Sequence, residues 1–519
     1  MQTSDNNKAN GKALLAVFDM LHSGVSFEVF TFFVKAEIER KLQDCDFLHV
    51  LFVPGDDYFS AQEIDYDPAH DHWRFQNILV PGCNLMPTCK QVSYVANRRE
   101  AQKIINLAEK VFPAGYTIAE PINIYLFNEL AIHWAFGEEI PSLAAPEQAI
   151  IRARKWLAAK AQDKKVITFT LRQSHHQVER NSNISELAEF IGLLDRNVYF
   201  PVVIPDTEAT FEGVNLEVLG VPNYPELSIN ILLRAAIYES AYLNFFCSNG
   251  PASLGYLNRN VNYLIFNSGS EKSYSSGPAT FEGLNAIPYG AQLPFTHSAQ
   301  KFVHHPETSE NLIREFSLMV EILEGSGFRN KMNSVEQFHP IEVARLLEHH
   351  QWFVQARDIY QKIYDNGGRS NQLKLRLSTV QNRLGNHDEA IEMLSSLTGD
   401  DNNQVEVQEQ LGEAFIGLEN INKGLACLYK SLTGTRNNAC DYVRLAVKIF
   451  WVLESQGKLE EMIDAYKSAC KVSPNNPLLH RAVGEILEKQ EFCQEAGNCF
   501  RVEFEIYNKS EMDKIKHQK

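Results

Sequence analysis

Two short loops of the chain carry residue types that can hold a phosphate group. The first loop follows a predicted buried strand, and its candidate side chains are Arg172, Arg180 and Asn181. A guanidinium can bind phosphate through two parallel hydrogen bonds, so an arginine at a strand end predicts an anion site. The alternative is a surface loop in which Ser182 or Asn183 caps the next helix. That alternative does not explain the arginine at the strand end.

The second loop lies between a later predicted strand and a helix, and it reads Cys-Ser-Asn-Gly-Pro-Ala-Ser over residues 247–253. Free backbone N–H groups in a strand-to-helix turn can cradle a phosphate. The candidate residues of this turn are Ser248, Asn249, Gly250 and Ser253. Any such turn favours a glycine and a helix cap, so the turn is informative mainly because the arginine loop precedes it in the same predicted sheet.

Four acidic or titratable side chains are candidates for acid–base chemistry or for ligand contacts. Asp206 and Glu208 follow a predicted strand and can meet a ribose or a base, although solvated loop residues are an equally good explanation. Asp19 and His22 lie in the first strand-to-helix turn, where a general base for an acceptor hydroxyl would sit. Ordinary helix-start chemistry is the alternative for these two residues.

The sequence does not favour a metal site. Residues 65–67 read Asp-Tyr-Asp and resemble a metal-binding Asp-x-Asp element, but the segment before them is a poor strand. The histidine doublets at 175–176, 304–305 and 349–350 have no partner spacing that demands a metal. We therefore expect no metal.

Length, charge and cysteine usage narrow the class of protein. The chain has 519 residues, and at about 100–200 residues per domain this length predicts roughly three domains. A formal net charge of −16 would repel a polyphosphate backbone, so we expect no nucleic-acid partner. Nine scattered cysteines predict reduced thiols. The polar start of the chain and the charged residues within window 15–34 predict a cytoplasmic protein without a membrane span.

Residues 1–335 alternate short apolar runs with helical periods, the pattern of parallel α/β domains. We predict a first lobe over residues 1–150 and a second over 151–335. Ligands of open α/β sheets bind at the carboxyl ends of strands, so we expect the chemistry to face a cleft between the two lobes.

The last third of the chain repeats itself. A small or apolar residue recurs five residues after each turn, at spacings of 34, 34, 38 and 34, and 34 is the tetratricopeptide (TPR) period. These positions are Ala356, Ala390, Gly424, Met462 and Ala496. We predict a TPR solenoid of about five repeats over residues 336–519, with a four-residue insertion between Thr433 and Gly457. A plain three-helix bundle is the alternative.

The two loops also resemble a known family. The resemblance is carried by Thr-Leu-Arg…Glu-Arg-Asn-Ser-Asn, Pro-Asp-Thr-Glu and Cys-Ser-Asn-Gly-Pro-Ala-Ser-Leu, over roughly residues 165–270. These segments are similar to the nucleotide-sugar lobe of GT-B glycosyltransferases, most of all in the fucosyltransferase-like branch. The whole chain resembles bacterial TPR proteins that carry a glycosyltransferase-like lobe. The sequence Gln-Ser-His-His after Arg172 departs from the fucosyltransferase pattern, so the identity of the donor sugar nucleotide stays open.

The resemblance implies an α/β plus all-α fold, with two Rossmann-like lobes in a GT-B arrangement followed by a TPR superhelix. It implies that Arg172 neutralises the diphosphate leaving group and that Ser248 to Ser253 cradle it, with Arg180 and Asn181 as secondary contacts. No metal or cofactor beyond the nucleotide-sugar co-substrate is expected, because cationic side chains stabilise the departing phosphate.

The predicted function is therefore sugar transfer from a nucleotide-sugar donor to a hydroxyl of a glycan or protein acceptor. The solenoid would bind the acceptor or a partner protein, or self-associate. Two alternatives stay open: a non-catalytic adaptor with a degenerate glycosyltransferase-like body, and a nucleotide-sugar enzyme such as an epimerase.

Overall fold

The computed structural model describes residues 11–55, 68–122, 127–175, 178–207, 210, 216–266, 277–327, 332–333, 339–397, 404–435 and 438–517. The chain divides into two compact units, Met1–His350 and Gln351–Lys519. Within the described ranges, no helix is both long and apolar enough to cross a membrane. The first unit is mixed α/β with two parallel sheets, and the second is helical.

A four-stranded parallel sheet forms the first part of the α/β unit. Its strands are β1 (Ala13–Asp19), β2 (Phe47–Val53), β3 (Cys89–Tyr94) and β4 (Val111–Phe112), in the spatial order β3-β2-β1-β4. The accompanying helices are α1 (Val29–Leu42), α2 (Pro68–Arg74), α3 (Val80–Gly82), α4 (Arg98–Ile105) and α5 (Asn128–Ala135), with a π-helical turn, Phe75–Leu79, between α2 and α3. Nearly every residue of β1 and β2 is buried, as expected for a sheet covered on both faces.

A five-stranded parallel sheet follows. Its strands are β5 (Lys165–Thr170), β6 (Tyr199–Ile204), β7 (Leu243–Cys247), β8 (Tyr263–Phe266) and β9 (Gln300–Val303), in the spatial order β6-β5-β7-β8-β9. The helices are α6 (Glu147–Ala161), α7 (Ile184–Leu193), α8 (Glu226–Ile229), α9 (Ile231–Ser240), α10 (Ser253–Tyr256), α11 (Pro278–Asn285), α12 (Ser309–Glu324) and α13 (Pro340–His349). The prediction of parallel α/β structure is confirmed.

One predicted helix differs from the observed one. The apolar period predicts a single helix over about residues 226–239, but the structure contains α8 and α9 with a break at Asn230. Asn230 has an extended backbone, and its side chain accepts a hydrogen bond from the N–H of Leu233. Asparagine is a strong N-cap residue, so it ends one helix and starts the next.

The second unit consists of consecutive helices that pack on their neighbours along the chain. They are α14 (Phe353–Asp365), α15 (Asn371–Arg383), α16 (His387–Ser395), α17 (Gln404–Gly417), α18 (Ile421–Gly434), α19 (Ala439–Ser455), α20 (Leu459–Val472), α21 (Pro477–Lys489) and α22 (Cys493–His517). Helix α15 also packs against α17, and α19 against α21. Contacts between alternate helices are those of stacked helical hairpins.

The repeated small or apolar residues occupy equivalent buried positions of the hairpins. Each of the five is the fourth residue of its helix and is buried; the helices are α14, α16, α18, α20 and α22. At Gly424, an added Cβ would lie 2.5 Å from Cγ1 of Ile416 and 3.0 Å from the carbonyl oxygen of Gly412. The backbones of α17 and α18 therefore approach too closely for a larger residue.

The irregular repeat interval coincides with one long helix. Helix α19 has 17 residues, whereas the corresponding helices α15, α17 and α21 have 13 or 14. Four residues add about one helical turn, so the longer helix accounts for the 38-residue spacing.

Helix α13 belongs by its contacts to the first unit, although the sequence pattern groups it with the repeats. It packs against α5 and α11, and Nε2 of His350 lies 2.8 Å from Oε2 of Glu282.

Candidate functional site

The strand order of the second sheet defines where a ligand would bind. Its strands run 2-1-3-4-5 when they are counted from β5, so the direction of the chain reverses between β5 and β7. Open α/β sheets bind ligands at this switch point, beyond the carboxyl ends of the strands. The loop after β5 carries Arg172, and the turn after β7 carries Ser248 to Ser253. The candidate residues of both loops thus lie at the switch point.

A network within the first loop holds Arg172 in place. The residue is only 7% exposed, and its Nη1 donates to Oδ1 of Asn181 at 2.6 Å. Its backbone N–H donates to Oγ of Ser182 at 3.0 Å. Asn181 also bonds both backbone groups of Ser174, which closes the loop. Asn181 and Ser182 therefore position the arginine, and Ser182 does not cap α7.

Arg180 connects the two candidate loops. Its Nη2 donates to the carbonyl oxygen of Ser248 at 2.5 Å. The contact spans 68 residues of sequence and joins the end of the arginine loop to the start of the turn after β7. The structure thus brings together two loops that sequence analysis identified separately.

Most polar groups of the turn after β7 bond within the turn. Oδ1 of Asn249 accepts from the N–H of Ala252 at 3.2 Å, and Oγ of Ser253 donates to the carbonyl oxygen of Gly250 at 2.8 Å. Residues 250–252 form a 3₁₀ turn that continues into α10, which has only four residues. The predicted helix start exists, but four residues supply little of a helix macrodipole.

A residue of the first lobe covers this turn. A Cβ added at Gly250 would lie 2.7 Å from Cδ2 of Phe27, in the segment between β1 and α1. Glycine is required here because the phenylalanine ring contacts the backbone. The segment that follows β1 therefore lies beside the turn that follows β7, as expected for two lobes that face each other.

Asp206 lies next to the arginine loop. Its Oδ2 accepts a hydrogen bond from the backbone N–H of Gln173 at 3.1 Å, which links the loops after β5 and β6. Glu208, the second predicted acid of this segment, lies outside the described residues, as do His176 and the Asp-Tyr-Asp sequence at 65–67.

Sequence analysis missed Glu307, which follows β9 at the same edge of the sheet. Its Oε2 accepts from the N–H of Asn183 at 2.7 Å. Burial raises the pKa of Glu307 to about 7. Burial also raises the pKa of the neighbouring Cys247 to about 12, and the Glu307 charge raises it further. Glu307 follows β9, a strand that the sequence analysis did not predict, so the strand-end signal that identified Asp206 was missing here.

The first-lobe candidate Asp19 is buried and forms an ion pair with the partly exposed Arg98. It is 2% exposed, and Arg98 donates one hydrogen bond to each carboxylate oxygen at 2.8 Å. The hydroxyl of Tyr116 donates to Oδ2 at 2.5 Å, and the N–H of Leu21 donates to Oδ1 at 3.0 Å. The carboxylate therefore fixes the carboxyl edge of the first sheet.

The Asp19 carboxylate also shifts the pKa values of the two side chains that bond it. Burial and the hydrogen bond to Asp19 raise the pKa of Tyr116, and that same carboxylate raises the pKa of Arg98. A carboxylate with four hydrogen bonds is poorly placed to accept a proton from a substrate. His22, in the same turn, is exposed and is the more accessible candidate base.

The described residues contain no group of three or more His, Cys, Asp and Glu side chains that could hold a metal ion.

Comparison with known proteins identifies the helical region. A TPR repeat model matches residues 452–491, which span the end of α19, then α20 and α21. Solved structures similar to part of the chain include a MamA crystal structure, with 20% identity over 33% of this chain and 96% of that chain, and a TM-score of 0.27. Another is the MamA RS-1 ArsTM double mutant, with 12% identity over 32% of this chain and 92% of that chain, and a TM-score of 0.27. No curated protein matches the chain. TPR repeats are modules of protein–protein interaction, so the helical unit has a protein-binding architecture.

Proposed function

We propose that the chain is a glycosyltransferase of GT-B arrangement that transfers a sugar from a nucleotide-sugar donor to a hydroxyl of a glycan or protein. The observation that carries the proposal is the contact between the loop of Arg172 and the 248–253 turn at the switch point of the second sheet, where Arg180 bonds Ser248 and Asn249 bonds Leu171. The helical unit would recruit the acceptor or a partner protein, or self-associate. A cytoplasmic location belongs to the same proposal.

In this proposal, Arg172 neutralises charge on the departing diphosphate. A largely buried guanidinium binds an oxyanion more strongly than an exposed one, because the low local dielectric strengthens the interaction. Asn181 fixes its orientation before the ligand arrives, so little side-chain entropy is lost on binding. Arg180 holds the two loops together, and Asp206 and Glu208 would face the ribose or the base. No metal takes part in this mechanism.

The acceptor hydroxyl would enter from the first lobe. The contact between Phe27 and Gly250 supports this direction, because it brings the segment after β1 beside the proposed donor site. His22 is our candidate for the base that assists acceptor attack. Asp19 would act through the fold, by holding Arg98 and the turn from which His22 projects.

A second candidate function is a non-catalytic TPR scaffold. It is favoured by the internal hydrogen bonds of the turn after β7, where Asn249 and Ser253 bond within the turn itself. In that case the α/β unit would keep the architecture of a transferase without binding a donor.

Binding of nucleoside diphosphates separates the two functions. The full-length chain would be heated with UDP, GDP, ADP and CDP, and its melting temperature (Tm) compared with the ligand-free value. At 100 times the dissociation constant, a ligand stabilises by about 2.7 kcal/mol, which is a readily measured shift. Arg172→Gln should abolish the shift, whereas the exposed control Arg196→Gln should keep it.

A lack of response to every nucleotide would contradict the transferase and favour the scaffold. If a nucleotide does bind, product analysis with the matching nucleotide sugar, with and without acceptor, separates transfer from epimerisation. Epimerisation yields an altered nucleotide sugar without an acceptor, whereas transfer releases the nucleoside diphosphate and extends the acceptor.

A further inference from the structure

Arg234, in α9, is among the largest fully buried side chains of the part of the α/β unit that the structure describes. It is 1% exposed, and its Nε donates to the hydroxyl of Tyr238 at 2.9 Å. Among the described residues, its Nη1 and Nη2 atoms are both buried and have no hydrogen-bond partner. A buried cation without a counter-charge is costly. Such a guanidinium is therefore well suited to receive an anion.

The position of Arg234 points to the candidate donor site. The hydroxyl of Tyr238 also bonds Oγ1 of Thr170 at 2.7 Å, and Thr170 is the last residue of β5. The N–H of Leu171 bonds the carbonyl of Ile204 and continues the strand pairing. Side chains alternate along a strand, so Thr170 and Arg172 leave the sheet on the same face. Arg234 lies against that face.

Neighbouring elements place this arginine near the border of the two lobes. Helix α9 packs against α6, against α10 after the 248–253 turn, and against α3 of the first lobe. The bond from Nε to Tyr238 fixes the plane of the guanidinium and leaves its two terminal nitrogens as a fork. A planar fork of two N–H donors matches two oxygens of a phosphate.

We propose that Arg234 is an anion-binding residue that holds one phosphate of a diphosphate ligand, beside the phosphate held by Arg172. This inference deepens the proposed function and rests on it for the identity of the ligand. Tyr238 and Thr170 act as positioning residues for the guanidinium. In the free protein the buried charge lowers stability, and a bound phosphate would compensate it.

Inorganic pyrophosphate tests the inference without a nucleoside. Its binding to the full-length chain would be measured by calorimetry and by Tm, at an ionic strength matched with chloride. We expect pyrophosphate to bind the wild type and the control Arg196→Met, and Arg234→Met to weaken the affinity about 100-fold. Without ligand, Arg234→Met should melt no lower than the wild type, because it removes an uncompensated buried charge.

Two results would overturn the inference: a wild type that does not bind pyrophosphate, or an Arg234→Met variant that binds it as tightly as the wild type. If Arg234→Met does not fold, Arg234→Lys keeps the charge but loses the planar fork. The Arg234→Lys variant should then bind pyrophosphate about 10-fold more weakly than the wild type does. An affinity equal to that of the wild type would also overturn the inference.

The same measurements separate this inference from the proposed function. Nucleoside diphosphate binding that depends on Arg172 but not on Arg234 would leave the transferase proposal standing and refute the role of Arg234. Pyrophosphate binding that depends on Arg234, with no added affinity from any nucleoside, would support the anion site and contradict a nucleotide-sugar donor.

Discussion

Replacing Glu307 by glutamine should change how the stability of the protein depends on pH. The pKa of a glutamate is ordinarily 4.5, and burial raises that of Glu307 to about 7. Between these pH values the folded protein binds a proton that the unfolded chain has released. Raising the pH through this range therefore lowers the free energy of unfolding. Above pH 7 the carboxyl is ionised in both states, and the full difference in free energy is present.

The magnitude follows from the difference between the two pKa values. A tenfold change in proton affinity is worth about 1.4 kcal/mol, so the cost at pH 8 is about 3 kcal/mol. Glutamine keeps an oxygen that can accept the 2.7 Å hydrogen bond from the N–H of Asn183, and it carries no charge. Glu307→Gln should therefore be more stable than the wild type at pH 8 and similar to it at pH 5.

The assay is the Tm of both proteins between pH 5 and pH 8.5. A gain of about 3 kcal/mol corresponds to roughly 5 °C in a unit of this size. The matched control is Glu321→Gln, at an exposed position of α12, which should show no pH-dependent gain. The reasoning would be refuted if the Tm of Glu307→Gln differed from that of the wild type by the same amount at every pH. It would also be refuted if the variant were less stable than the wild type at pH 8.

Two further substitutions test the packing of each unit. Asp19→Asn should destabilise the protein by about 3 kcal/mol and lower its Tm, because it removes the buried carboxylate that pairs with Arg98 and accepts a hydrogen bond from Tyr116. The exposed control Asp44→Asn should not lower the Tm, and equal effects of the two substitutions would contradict the structural role of Asp19. Gly424→Ala should cost about 1–3 kcal/mol of stability, because the new Cβ would meet Ile416. Gly497→Ala, where a Cβ meets nothing within 4 Å, should be neutral or stabilising; a drop as large as at Gly424 would refute this packing.

Local patterns in the sequence predicted the parallel α/β structure and the repeat. The 34-residue spacing revealed the hairpins because a small or apolar residue, such as Ala356 or Ala390, occupies the same buried position in each of them. Apolar runs revealed the buried parallel strands, and Arg172 stood out because an arginine rarely ends such a strand. The insertion was located correctly because the 17-residue helix α19 lies within the predicted interval.

Non-local contacts could not be predicted in the same way. Arg98 and Tyr116 lie 79 and 97 residues from Asp19, and no spacing rule connects them. The covering of Gly250 by Phe27 depends on how the two lobes of the α/β unit face each other. Arg234 had a weak local signal, a single arginine within the apolar sequence Ile-Leu-Leu-Arg-Ala-Ala-Ile-Tyr, but its burial depends on the packing of α9.

A crystal structure of the full-length chain soaked with a nucleoside diphosphate that raises its Tm tests the central claim most directly. We predict diphosphate density between the guanidinium of Arg172 and the turn that begins at Ser248. Density at another place, or a map without nucleotide at saturating concentration, would contradict the assignment of this switch point as the donor site.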